Sequence, residues 1–477
     1  MKHRKLNKTI NSAIWYTLSN VLAKAMIVLL TPIFARLLTT KEYGIYTNFV
    51  SWQNVLVILF SLEMSSTVLR AKYDYSEKEF DNYVFSICCF SIIFPFVTVG
   101  MALILGKRWL ENAINLDFKL IVALYIIITF YSMIQIFQAE QRARVKYKMS
   151  SLMTVIFSGG TILLPIVCVY LFENKLYAIT FATATNYLIF GIIFFVIYFK
   201  KANQKRIQIK YIKYALIIAL PIVPHLLSSV IMGNSDKMMI SQMCGVEYAA
   251  MYGVVYTTAL VVTLLRNSLN NAWIPWLYDK LTIREYEKIK QVSKIFIVFF
   301  SVVTFFLCLI GPELVLILGG KKYSEAAGMV PFIMIGCYFN FLNLFYVNIE
   351  FFEKKTFMIS VITIITAILN VVLNYVGIKL INYQTAAIAT AICNGITVIS
   401  HYFVTRKWNN HEICDNKLIM CCALGGALIS PMFQSFYNWN IFARILIIII
   451  YILTLGIICV CKKNEIKKIM GEIYEGM

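Results

Sequence analysis

Two basic residues stand inside long apolar stretches: Arg266, in the run from Tyr214 to Trp276, and Lys24, in the run from Ala13 to Leu38. A charge at the centre of a bilayer costs about 2.5–3.5 kcal/mol even on lenient insertion scales, so it must face water, a partner or a ligand. At 1.5 Å per residue, Lys24 lies roughly 20 Å from the inner end of its stretch and Arg266 roughly 15 Å from Trp276. Neither reaches a headgroup comfortably, although a lysine stretches part of the way. Residues of this type at this depth point to anion binding, most directly phosphate, in a basic pocket buried between two halves of a membrane protein. The planar fork of an arginine matches phosphate oxygens, so lysine at 266 should also impair function. The alternative is a buried ion pair, for instance Arg266 with Glu63 or Asp236.

Around these two stand further candidates. Pro221 and Pro224 each remove a backbone donor and clash with the preceding turn, which bends the helix carrying them and makes them candidates for gating. An ordinary membrane-helix kink is the plainer reading. His225, Arg36 and Lys237 are candidates for the same anion site, against plainer roles as a packed polar residue, an interface anchor and a local partner of Asp236. Glu63 and Asp236 are candidates for a coupling cation, Na+ or H+, with a polar contact to another helix as the alternative for Glu63. No metal site is expected: the four histidines, including His3, His401 and His411, are scattered, and the twelve cysteines lie mostly in apolar runs with no CxxC pair. No GxxxxGK[ST], HExxH or G-x-S-x-G occurs, and no soluble enzyme site or nucleotide-driven pump is encoded.

The elements that must position these residues are transmembrane helices. The chain has 477 residues, 60% of them hydrophobic and 14% charged, with a mean hydropathy of +0.73. That is too apolar for a soluble domain. Segments of about 20 apolar residues span a bilayer, and about fourteen are expected, at 11–35, 45–68, 83–105, 118–139, 149–172, 177–199, 213–235, 248–276, 294–318, 328–350, 357–380, 384–404, 416–436 and 441–461. The basic opening MKHRKLNK followed by a long apolar run reads as an uncleaved first span. Gaps between spans are too short for an appended catalytic module.

The net charge of +20 follows the positive-inside rule and does not call for nucleic acid. About 31 of the 44 basic residues fall in alternate loops, taken as cytoplasmic. This supports an even number of spans with both termini inside. The segment Lys462 to Met477 reads as an amphipathic tail on the inner surface.

The halves resemble each other. Glu42-Tyr43-Gly44-Ile45-Tyr46 recurs as Glu247-Tyr248 through Tyr252-Gly253, Lys146-Tyr147-Lys148-Met149-Ser150 as Lys355-Thr356-Phe357-Met358-Ile359-Ser360, and Ala182 to Asn186 near Ala389 to Asn394. Three matches in register argue for two six-helix lobes in a parallel repeat. The expected division is a lobe at 1–199, a basic linker at 200–212, a second lobe at 213–405, two extra spans within 416–461, and the tail at 462–477.

Trp15, Pro32, Ala35-Arg36 and Leu37-Leu38, followed by Glu42-Tyr43-Gly44 and Tyr46, resemble the start of polysaccharide biosynthesis flippases of the Wzx type. Their superfamily also includes multidrug and toxin exporters and the lipid II flippase. Ser235-Asp236-Lys237, then Gly245, Tyr248, Tyr252 and Pro275, resemble the start of that family's second lobe. The resemblance implies alternating-access transport of undecaprenyl-diphosphate-linked oligosaccharide across a bacterial plasma membrane, for O-antigen or capsule synthesis. It further implies Lys24 and Arg266 as pyrophosphate ligands, a coupling ion of unspecified kind, and as partners the lipid-linked glycan, membrane lipids, a glycan polymerase and glycosyltransferases. Two other classes compete. A drug exporter of the superfamily would carry acidic residues deep in the spans, where this chain carries mainly basic ones. A membrane polymerase or ligase would need a large outer loop or a catalytic polar cluster.

Overall fold

The computed structural model describes residues 30–144, 146–408 and 412–461, all of whose regular elements are helical. The order is α1 (30–37), α2 (Thr40–Ser61), a 3₁₀ turn (Met64–Thr67), α3 (Val68–Asp74), α4 (Glu77–Ile114), α5 (Phe118–Ala143), α6 (Tyr147–Leu171), α7 (Lys175–Lys201), α8 (Ile209–Ala219), α9 (Val223–Met243) and α10 (Val246–Thr282). There follow α11 (Tyr286–Leu309), α12 (Gly311–Gly319), a 3₁₀ segment (Lys321–Met329), α13 (Val330–Phe352), α14 (Thr356–Leu380), α15 (Thr385–Trp408), α16 (Asn416–Phe436) and α17 (Ile441–Cys461).

Ten of these helical stretches are long and apolar enough to cross a membrane, or up to twelve if two bent pairs each count as one span. The described residues therefore show fewer than the fourteen expected: the first lies largely among residues 1–29, outside the described residues, and the last corresponds to α17, whose apolar stretch Ile441–Thr454 is shorter than a span. Lys24, His3, His411 and the tail from Lys462 also lie outside the described residues. Large apolar side chains point outward from the helices, Ile104 at 82% and Phe442 at 78% exposure among them. In water such a surface would be a liability; in hydrocarbon it is the matching face. Buried positions include many polar residues, such as Asn48, Thr180, Asn186, Asn370 and Asn374, as expected where lipid supplies no driving force between helices and polar contacts join them.

Packing divides the chain into two compact units, Met1–Ala250 and Met251–Met477. The division falls one span later than the linker expected at 200–212, because α9 packs with α2: the Asn54 amide donates to Asn234 Oδ1 at 3.2 Å. The linker itself is tied to α4, with Gln204 N donating to Asn82 Oδ1 at 2.9 Å and Gln208 N to Ser86 Oγ at 3.2 Å. In the first unit α5 lies at the centre of the apolar core.

The first recurring motif has a structural basis. Thr39 and Glu42 form a reciprocal capping box at the start of α2, Tyr43 is buried, and Gly44 meets the Val246 carbonyl so closely that a Cβ would overlap it. Gly44→Ala is therefore expected to destabilise the first unit by about 1–3 kcal/mol, the usual cost of overpacking. Gly159→Ala, at a helical site with open space, should be neutral or slightly stabilising. Thermal melting in detergent checks both, and equal melting of the two variants would refute the close approach.

The recurrence of the lysine motif is also visible in the backbone. Helix α5 closes with Lys146 N donating to Gln141 O and α13 with Lys355 N donating to Glu350 O, both at 2.8 Å.

Candidate substrate site

Arg266 sits just past the middle of α10 and is half-buried. Its Nη2 donates to Asn267 Oδ1 at 3.1 Å, while Nε is buried and has no acceptor among the described residues. No described carboxylate of its own unit lies within 4.0 Å of the guanidinium. Thr263, one turn earlier on α10, lies 3.9 Å from Cys337 Sγ on α13. One turn later the Asn348 amide on α13 donates to Asn270 Oδ1 at 2.8 Å. Trp273 then packs on Trp276, Phe296 and Phe345. Side chains of α10 and α13 thus meet along a polar seam that ends in an aromatic cluster. A cation held there, with donors unspent, suits an anionic ligand.

The bend expected at the proline pair is present, but only Pro221 lies in it. Helices α8 and α9 meet at a 56° bend; Pro221 lies in the break, and Pro224 is in the first turn of α9, where its missing N–H costs nothing. His225 follows, half-buried, with Nδ1 buried and unpaired among the described residues. If the bend serves the transport cycle, Pro221→Ala with Pro224→Ala should slow transport several-fold while the protein still folds. Unchanged transport would reduce the prolines to an ordinary kink.

A second bend, of 49°, separates α2 from the Met64–Asp74 segment. Its joint is Leu62 and Glu63, both in the left-handed region at φ 48° and 49°, an uncommon conformation for residues other than glycine. Local hydroxyls hold it: Ser66 Oγ donates to Glu63 O at 2.8 Å and Thr67 Oγ1 to Met64 O at 2.6 Å. Glu63 therefore sits at a break within a span. Asp236 is buried and Lys237 half-buried, while Arg36 is exposed. Glu63, Arg36, His225, Asp236 and Lys237 belong to the first unit and Arg266 to the second.

Sequence reasoning missed the polar groups that flank Arg266 and two buried charge sites. The run Arg266-Asn267-Ser268-Leu269-Asn270-Asn271 is conspicuously polar for a span and would have flagged the first. In the first unit Glu140 on α5, fully buried, accepts from Arg144 Nε at 2.6 Å and Lys201 Nζ at 3.1 Å, and Arg144 also bonds Glu77 at 2.8 Å and Asp81 at 2.5 Å. In the second unit Glu350 on α13 holds His401 Nδ1 on α15, at 2.8 Å and 3.0 Å to its two oxygens, with both side chains 1% exposed.

Comparison with solved structures defines the class. The chain matches the lipid II flippase MurJ in an inward closed conformation with a TM-score of 0.70, covering 95% of this chain and all of that one at 14% identity. It matches an inward-facing multidrug resistance MATE transporter at 0.65, covering 82% and 94%, also at 14% identity. At such identities the likeness is one of fold: a multi-pass helical membrane protein built like these transporters. Residues 10–280 match the family described as Polysaccharide biosynthesis protein, more than half of the chain, and the chain belongs to that family. A protein named for the Lsg locus of Haemophilus influenzae is 23% identical over 420 residues, covering 84% of this chain and 98% of the relative.

Proposed function

We propose that the protein is a flippase that moves undecaprenyl-diphosphate-linked oligosaccharide units across the bacterial plasma membrane by alternating access, for surface polysaccharide such as O-antigen or capsule. Membership of a polysaccharide biosynthesis family supports a role in that pathway. The observation that carries the reading is Arg266: a guanidinium deep in a span, with a buried donor unspent and no carboxylate within 4.0 Å among the described residues of its unit. A diphosphate headgroup supplies the missing acceptors and charge. Lys24 is proposed as a second phosphate ligand, and His225, Arg36 and Lys237 as further cationic candidates. The positive-inside pattern supports both termini facing the cytoplasm, where glycosyltransferases would hand over the substrate and from which a polymerase would receive it on the far side. Coupling to Na+ or H+ is assigned to Glu63 or Asp236; the Glu63 carboxylate is half-buried and has no hydrogen-bond partner among the described residues.

The test is translocation of a polyprenyl-diphosphate-linked glycan in proteoliposomes, read as loss of inner-leaflet substrate. Rates no higher than those of protein-free liposomes would refute the function.

A further inference from the structure

Beside Arg266, α10 carries Asn267, Asn270 and Asn271. A side-chain amide has an acceptor oxygen and two donor hydrogens on nitrogen. At Asn267 the oxygen is taken by Arg266 Nη2, 3.1 Å away, and at Asn270 by Asn348 Nδ2, 2.8 Å away. Each amide is thereby turned so that its NH2 group remains, and no described protein atom accepts from either. Arg266 Nε is likewise unspent. At 100° per residue, positions 266, 267 and 270 share an arc of about 100° of the helix, with Asn270 about 6 Å further along the axis than Arg266. The result is a row with donors in excess: each amide oxygen already accepts one hydrogen bond, while neither NH2 group donates to a described protein atom. Trp273 closes the row: its buried indole N–H has no acceptor among the described residues, but its ring is packed in the aromatic cluster.

We propose that this row reads the junction between diphosphate and glycan. Asn267 and Arg266 share the diphosphate oxygens, and Asn270, one turn on, donates to an acceptor oxygen of the first sugar, a hydroxyl or an acetamido carbonyl at C2. Asn348 is a positioning residue: buried on α13 at 4% exposure, it fixes which way the Asn270 amide faces. The inference rests on the reading of Arg266 as a diphosphate ligand and extends it to sugar recognition. A surface with donors in excess favours ligands that present acceptors, since an unpaired donor in such a site is costly.

The test uses the full chain in lipid nanodiscs and three probes: a bare polyprenyl diphosphate, and the same lipid carrying one hexose or one N-acetylhexosamine. The wild type should bind at least one glycosylated probe more tightly than the bare lipid. Asn270→Ala should weaken that probe about 10-fold, the loss of one hydrogen bond in a buried site, and leave the bare lipid within about two-fold. Asn348→Leu should reproduce this pattern, which a merely structural effect would not, because misfolding weakens all probes alike. Should Asn270→Ala fail to fold, Asn270→Ser serves in its place. Arg266→Ala should weaken all three. If Arg266→Ala weakens all three but neither Asn270 variant changes the ratio between probes, the sugar contact is refuted while the diphosphate reading stands. If the wild type does not distinguish the probes, the sugar contact is refuted as well. If Arg266→Ala weakens none, the diphosphate reading itself falls.

Discussion

Replacing Arg266 with alanine is expected to cut the rate of glycan translocation about 10- to 100-fold while leaving the melting temperature nearly unchanged. Hydrogen bonds to charged groups contribute about 1.5–3 kcal/mol each, and every 1.4 kcal/mol is a factor of about ten. The guanidinium spends one donor on Asn267 and holds another without an acceptor, so its removal breaks little in the empty protein and much in the loaded one. Arg266→Lys should fall between the two, because the charge remains but the planar fork is lost. Were Arg266 a structural residue, the order would reverse: alanine would melt early and transport would fall only in proportion to folded protein. Proteoliposome rates normalised to folded protein, with melting curves on the same samples, separate the two patterns.

His401→Ala is expected to be the most damaging single change to stability. It strands the Glu350 carboxylate, 1% exposed in α13, and breaking a buried pair from one side costs about 3–5 kcal/mol. A drop in melting temperature on the order of 10 °C follows for a unit of this size. Glu350→Gln should be milder, since the amide can still meet the ring. A double change, Glu350→Leu with His401→Leu, should recover much of the loss, because an apolar pair carries no desolvation penalty. Arg144→Ala offers the contrast in the first unit: Glu140 keeps Lys201 at 3.1 Å, so the drop should be smaller. If His401→Ala melts within about 2 °C of the wild type, the carboxylate is finding water or another partner, and the pair does not hold α13 to α15 as described.

The membrane-spanning helices were legible in sequence because composition and length decide them. The expected spans at 118–139, 357–380 and 416–436 differ from α5, α14 and α16 by a few residues at most. The bend at Pro221 was legible for a local reason, the missing donor. The bend at Leu62 and Glu63 was not, since it contains neither proline nor glycine and depends on how Ser66 and Thr67 spend their hydroxyls. Arg266 announced itself by depth alone. Its neighbours did not: which way the Asn270 amide faces is set by Asn348 on another helix, and Glu140 and Glu350 find their partners on α7 and α15. Pairings between distant stretches leave no periodic trace in a single sequence. The second unit's boundary was hidden for the same reason, because the packing of α9 on α2 joins segments far apart in the chain.

The polar seam of α10 also bears on how the protein is made. A segment with Arg266 and three asparagines near its middle is a reluctant passenger into lipid by itself, and the helix that satisfies Asn270 is α13, which the ribosome has not yet produced when α10 emerges. Release of α10 from the insertion machinery should therefore wait for later segments. A nascent chain arrested soon after Thr282 would stay crosslinkable to that machinery, and one extended past Phe352 would let go.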